Sequence, residues 1–186
     1  MTNPEAVARD FIEALESEGF PYAIMGGLAV RVHALPRPTY DVDFAAAIPR
    51  TRLDRLYDLA AHRGYLISES QRRGWVDVVR EMPVVKFQWL VGRQVIDVDV
   101  FLTESPFLQS VLSRSQEYTS GSLTAKFVTP EDLIPLKLAA DRPRDRADVA
   151  DLLFFQTSLD RMYLDDWANR LHLSERLAQA LADADV

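Results

Sequence analysis

The chain has 186 residues, no cysteine and three histidines, with 48% hydrophobic and 26% charged residues. That is one domain, or a core with a small appendage, and it excludes disulfide frameworks, thiolate zinc sites and cysteine nucleophiles. The net charge of −7 argues against a protein that grips nucleic acid by overall charge.

The opening MTNPEAVARD is polar and carries no signal-peptide core, and no apolar run approaches the ~18 residues of a spanning helix. A cytoplasmic protein without a membrane partner is expected. Asn3 followed by Pro4 predicts a capped helix start, and Val7, Phe11 and Leu15 continue it to about Glu18. Tyr22 to Met25 reads as a short strand, broken by Gly26-Gly27, with a short helix over Leu28 to His33. Pro36 and Pro38 force an extended segment, and Asp41 to Ala46 reads as a second strand.

Thr51 is expected to cap a helix carrying Leu53, Leu56, Tyr57 and Ala60. Val84 to Leu90 and Gln94 to Leu102 read as two strands around the turn at Val91-Gly92-Arg93. Pro106 begins another helix, and Leu123 to Val128 a further strand. Thr129-Pro130-Glu131-Asp132 reads as a helix start with a capping threonine. Helices then run through Leu138, from about Arg144 to Phe155, and from Ser174 to Ala182. The expected organisation is an α+β core over residues 1–128 and a helical C-terminal part over 129–186, packed on it as one compact unit.

Two acidic strands carry the chemistry. Asp41 and Asp43 alternate along one strand and so share a face, and Asp97 and Asp99 do the same on another. Brought together in one sheet, three or four carboxylates converge as in a two-metal phosphoryl-transfer site. Magnesium favours oxygen ligands of this kind, together with substrate phosphates. The plainer reading is a solvated sheet face. Gly26 and Gly27 allow close approach of the backbone to a phosphate at a helix start.

Lys137, one turn after Leu133, either snorkels to solvent or reaches a cleft to hold polyphosphate charge. Asp145 and Asp148 lie three apart on one helix face and could anchor Lys137 or Arg142. Arg37 either meets a phosphate or pairs with Asp41 or Asp43. His33 reads as a turn or surface histidine, and Trp75, Trp89 and Trp167 as core or edge residues. Between Arg50 and Arg93 nine basic residues outnumber five acidic ones. That stretch is either a surface for a polyanion or a solvated, arginine-rich helix face.

In order and spacing, Gly26-Gly27, Arg37-x-Thr39-x-Asp41-x-Asp43, Val98-Asp99-Val100-Phe101 and Pro130-Glu131-Asp132-Leu133 through Lys137 to Asp145-x-x-Asp148 resemble the nucleotidyltransferase superfamily. Most similar is its AbiEii/AbiGii-type toxin branch, with its minimal relatives. The resemblance spans about Gly19 to Leu153. It implies a polymerase-β-like nucleotidyltransferase core, a short mixed sheet flanked by helices. It implies magnesium (or manganese) on Asp41 and Asp43, with Asp99 as third carboxylate and Asp97 its rival. It further implies a nucleoside triphosphate held by Gly26, Gly27, Arg37, Thr39 and Lys137, with Asp145 and Asp148 supporting the site. An RNA or protein acceptor and an antitoxin partner would follow from the toxin branch. A small-molecule acceptor of the aminoglycoside kind and an idle nucleotide-binding module are the alternatives. Gly27 departs from the superfamily's frequent Gly-Ser, and Ala34 stands where relatives often have glycine.

Overall fold

A computed structural model describes residues 3–184. Its centre is one mixed seven-stranded sheet. The strands are β1 (Tyr22–Met25), β2 (Asp41–Ala46), β3 (Asp77–Val79), β4 (Met82–Val91), β5 (Gln94–Leu102), β6 (Gln116–Ser120) and β7 (Leu123–Phe127), in the order β3-β4-β5-β2-β1-β7-β6. β2 runs parallel to β5, and β1 parallel to β7, while the other neighbours are antiparallel.

Alternation along the strands divides the sheet into two unlike faces. One face carries Val42, Phe44, Phe87 and Val98, all fully buried. It is covered by α1 (Pro4–Ser17) and α3 (Leu53–His62). α1 forms because Asn3 Oδ1 accepts from the Glu5 amide at 3.0 Å and Pro4 needs no partner at the first position. Its apolar stripe then puts Phe11 against Phe44, Tyr65 and Phe87, with ring centroids 5.0–5.5 Å apart. Burial of one such side chain contributes roughly 2–3 kcal/mol.

The opposite face is closed only in part. α5 (Pro106–Arg114), α6 (Pro130–Ala140), α7 (Pro143–Phe155), α8 (Arg161–Arg170) and α9 (Ser174–Asp183) pack toward it, and α2 (Gly26–His33) lies against α6 and α7. Ala45 and Phe101 are covered there, whereas the polar ends of β2, β4 and β5 stay open. No described helix is long and apolar enough to cross a membrane.

Several local expectations need correction. Thr51 caps nothing: Arg50–Arg52 is a 3₁₀ turn, and α3 begins at Leu53 without a side-chain cap. Thr129 stands at the cap position of α6, but its hydroxyl donates to Asp132 Oδ2 at 2.7 Å rather than accepting a backbone amide. The short helix starts at Gly26 itself, so the glycine pair is its first turn. His33 is buried, with Nε2 2.7 Å from Val128 O and its ring edge-on to Tyr118. Trp75 is 62% exposed and donates to Asp77, so it fills no core. Four elements go beyond the expected ones: α4 (Glu69–Arg72), β3, β6 and α8.

Candidate active site

Strand register builds the acidic floor. In the β2–β5 pair Asp41 faces Asp97 and Asp43 faces Asp99. In the β4–β5 pair Gln88 faces Asp97 and Lys86 faces Asp99. The open sheet face therefore carries two rows, Asp41-Asp97-Gln88 and Asp43-Asp99-Lys86. Asp41, Asp43, Lys86 and Asp99 line a cleft of 300 Å³ closed on its far side by Leu136 and Lys137 of α6. Asp97 is exposed, accepts from Gln88 Nε2 at 2.9 Å, and does not line this cleft. It lines a neighbouring hollow of 670 Å³ together with Asp41, Asp77, Asp99 and Ser68. Asp99 thus shares the cleft with Asp41 and Asp43, whereas Asp97, the cross-strand neighbour of Asp41, lines the adjoining hollow.

The floor is electrostatically tense. Desolvation, then the charges of Asp41 and Asp99, push the Asp43 carboxyl from 3.8 up to about 7, against the pull of Lys137 and Arg142. Thr39, which is buried, donates to Asp41 Oδ1 at 2.7 Å and so orients that carboxylate. Lys86 Nζ lies 2.8 Å from Asp99 Oδ2.

The glycine turn is fitted against these acids. Gly26 has φ +62°, and a β-carbon on it would lie 1.9 Å from Asp43 Oδ2. A β-carbon on Gly27 would lie 2.3 Å from Thr39 Oγ1. A serine at position 27 would therefore have to displace the Thr39 side chain that holds Asp41. No side chain caps α2, so its first amides are left for an anion beside the acidic floor.

Lys137 is buried and doubly paired. Its Nζ lies 3.1 Å from Asp145 Oδ1 and 2.8 Å from Asp148 Oδ2. Asp145 also accepts from Arg142 Nε at 2.6 Å, and Asp148 from Arg37 Nε and Nη2, both at 2.6 Å. Burial alone would raise both carboxyls. Hydrogen bonds from Arg142 to Asp145, and from Arg37 and Lys137 to Asp148, outweigh it and hold both below the usual range. The result is a chain Arg142-Asp145-Lys137-Asp148-Arg37 with one excess positive charge. Arg37 therefore pairs with neither Asp41 nor Asp43, and its fork is spent on Asp148 and on Pro38 O. Arg142, whose side chain is largely exposed, is the cation of this chain that lines the cleft beside Lys137.

Among the described residues no three Asp, Glu or His side chains stand close enough to hold a metal ion unaided. Asp41 and Asp43 nevertheless supply hard oxygen donors, and the raised Asp43 carboxyl has an unmet demand for positive charge. Magnesium commonly takes one or two carboxylates and completes its shell with water and substrate phosphates, so the residues fit that group.

Two cleft residues escaped the sequence reading: Lys86 and Arg80. For Lys86 a signal existed. A two-residue loop at Gly92-Arg93 pairs Val91 with Gln94, and counting back along the hairpin puts Lys86 opposite Asp99. Six of the nine basic residues of the arginine-rich middle pair with acids outside the cleft, whereas Arg80 and Lys86 line it. Arg50 pairs with Glu104, Arg52 and Arg55 with Glu18, Arg63 with Asp10, Arg72 with Asp58 and Arg73 with Glu69.

No family model matches the chain, and no curated protein matches it by sequence. Solved structures do match its fold. An antigenic nucleotidyltransferase-like protein from Paracoccidioides brasiliensis superposes with a TM-score of 0.53 at 18% identity, over 96% of this chain and 91% of that one. ANT(2")-Ia, solved in complex with adenylyl-2"-tobramycin, gives 0.52 at 13% identity over 96% and 98%. The lincosamide antibiotic adenylyltransferase LnuA, solved with lincomycin, gives 0.53 at 13% identity over 84% and 99%. The chain has the fold of these nucleotidyltransferases.

Proposed function

We propose that this chain is a nucleotidyltransferase that moves a nucleoside monophosphate from a nucleoside triphosphate to an acceptor hydroxyl. The observation that carries the reading is the convergence of Asp41, Asp43 and Asp99 on one sheet face, beside the uncapped Gly26-Gly27 helix start. The α2 amides receive the triphosphate, and Lys137 and Arg142 supply positive charge on the same side of the cleft. A magnesium or manganese ion on Asp41 and Asp43, completed by the phosphates, would neutralise charge developing at the α-phosphorus.

Asp99 orients the acceptor hydroxyl and takes its proton. The acceptor oxygen forms a bond to the α-phosphorus as the bond from that phosphorus to the α–β bridging oxygen breaks. The products are the nucleotidylated acceptor, pyrophosphate and one proton. Charge stabilisation and positioning supply most of the rate in such transfers.

The toxin-branch resemblance supports an RNA or protein acceptor, with an antitoxin as partner. A second reading, a small-molecule acceptor, is favoured by a separate observation. The arginines that would have faced a polyanion are paired with acids, and the hollow next to Asp99 is lined by Asp41, Asp77 and Asp97. Adenylyl-2"-tobramycin and lincomycin, bound in two structures of the same fold, are small molecules.

The test offers α-labelled nucleoside triphosphates with magnesium to total RNA, cell protein and a panel of hydroxylated amines, beside Asp41→Asn and Asp43→Asn controls. Label on one acceptor class, lost in both controls, supports the transferase and identifies the class. Triphosphate binding without transfer to any acceptor would point to an idle binding module instead.

A further inference from the structure

Lys86 is a cationic side chain rooted in the open acidic sheet face. It sits in the same row as Asp43 and Asp99, with Nζ 2.8 Å from Asp99 Oδ2, and it lines both the cleft and the neighbouring hollow. Its backbone is held in place by a buried side chain. Gln71 of α4 accepts from the Lys86 amide at 2.6 Å and donates to the Lys86 carbonyl at 2.9 Å. Gln71 thus continues the edge pairing of β4 where β3 has ended. A short helix with no apolar stripe of its own fixes the strand position from which Lys86 reaches Asp99.

We infer that the Lys86 ammonium takes the place of a second divalent cation, so that the site binds one metal ion and not two. This rests on the nucleotidyltransferase reading and deepens it. The sequence pattern of paired aspartates suggests a two-metal site, in which the third carboxylate helps to hold the second ion. Here one oxygen of that carboxylate already carries a fixed positive charge. Of the cleft carboxylates Asp41, Asp43 and Asp99, it is Asp99 that carries an ammonium partner. A second ion at Asp99 would sit against the Lys86 ammonium and would have only the other oxygen of that carboxylate to bind. Asp97 offers no alternative, since it lies outside the cleft and accepts from Gln88. Lys86 acts through Asp99 and is a positioning residue in this account.

The metal count is the readout. The protein is dialysed to equilibrium against manganese and a non-hydrolysable α,β-methylene nucleoside triphosphate, and protein-bound manganese is measured. The wild-type chain should bind one ion per chain. Lys86→Met should bind two, a twofold rise, and Lys86→Arg should return the count to one. A merely structural lysine would not move this number. Lys86 is partly exposed and belongs to no buried ion pair, so its replacement leaves the core intact. Two ions in the wild type, or one ion in Lys86→Met, would overturn the inference while leaving nucleotidyl transfer standing. Failure of wild-type protein to bind either the analogue or manganese would overturn both.

Discussion

Gly26 and Asp43 are packed so closely that a β-carbon on the glycine would lie 1.9 Å from Asp43 Oδ2. Two parts of the site, the phosphate-facing turn and the acidic strand, therefore constrain each other directly. Gly26→Ala must displace the Asp43 carboxyl, and it also places a side chain at φ +62°. Transfer should fall at least about a hundredfold, because a displacement near 1 Å is enough for that. Steady-state kinetics of the variant check this, with a thermal melt to show that the fold persists.

Asp43 links the site to pH. A rise from 3.8 to about 7 means that the folded state holds this proton more tightly than the unfolded one does. The stability so gained is complete below 3.8 and is lost as pH climbs through about 7. Asp43→Asn escapes that loss. In metal-free buffer its advantage over wild type should grow from about pH 4 to about pH 7 and then level off. Allowing for solvent at the half-buried carboxyl, the plateau is roughly 2 kcal/mol. Manganese affinity of the wild type should fall about tenfold per pH unit below about pH 7, since the ion competes with the proton. Denaturant melts and metal titrations over this range check both slopes.

Lys137 holds two buried carboxylates before it touches any ligand. Lys137→Met leaves Asp145 and Asp148 with only Arg142 and Arg37. Breaking such a buried pair costs about 3–5 kcal/mol, which in a domain of this size lowers Tm by roughly 10 °C. A contact with triphosphate adds a separate effect: activity well below the variant's Tm should fall by more than the unfolded fraction accounts for. Melting curves and kinetics on the same sample separate the two.

Much of this arrangement is legible in the residues. The Asp-x-Asp pairs on alternating strands, the glycine pair at a strand end and the Asn3-Pro4 cap each reflect strong local physics, and the strands and helix they mark are present. What local pattern could not supply was pairing between distant segments. Arg37 and Asp148 are 111 residues apart, and their 2.6 Å contacts follow from the docking of α7 beside the β1–β2 connection. α4 is short and polar and β6 is a mostly polar edge strand, so neither shows a clear hydrophobic period, whereas α8 carries one in Leu164, Trp167 and Ala168 behind the Asp160 cap. Thr129 stands at the cap position but makes no cap hydrogen bond, its hydroxyl being turned to Asp132 of the first helical turn.

The most direct measurement compares α-labelled with γ-labelled ATP, in magnesium, using wild type and Asp43→Asn with the acceptor fractions described above. Nucleotidyl transfer predicts that α-label moves to an acceptor while γ-label leaves as pyrophosphate, and that Asp43→Asn abolishes both. Transfer of γ-label to the acceptor, or α-label transfer that survives Asp43→Asn, would contradict it.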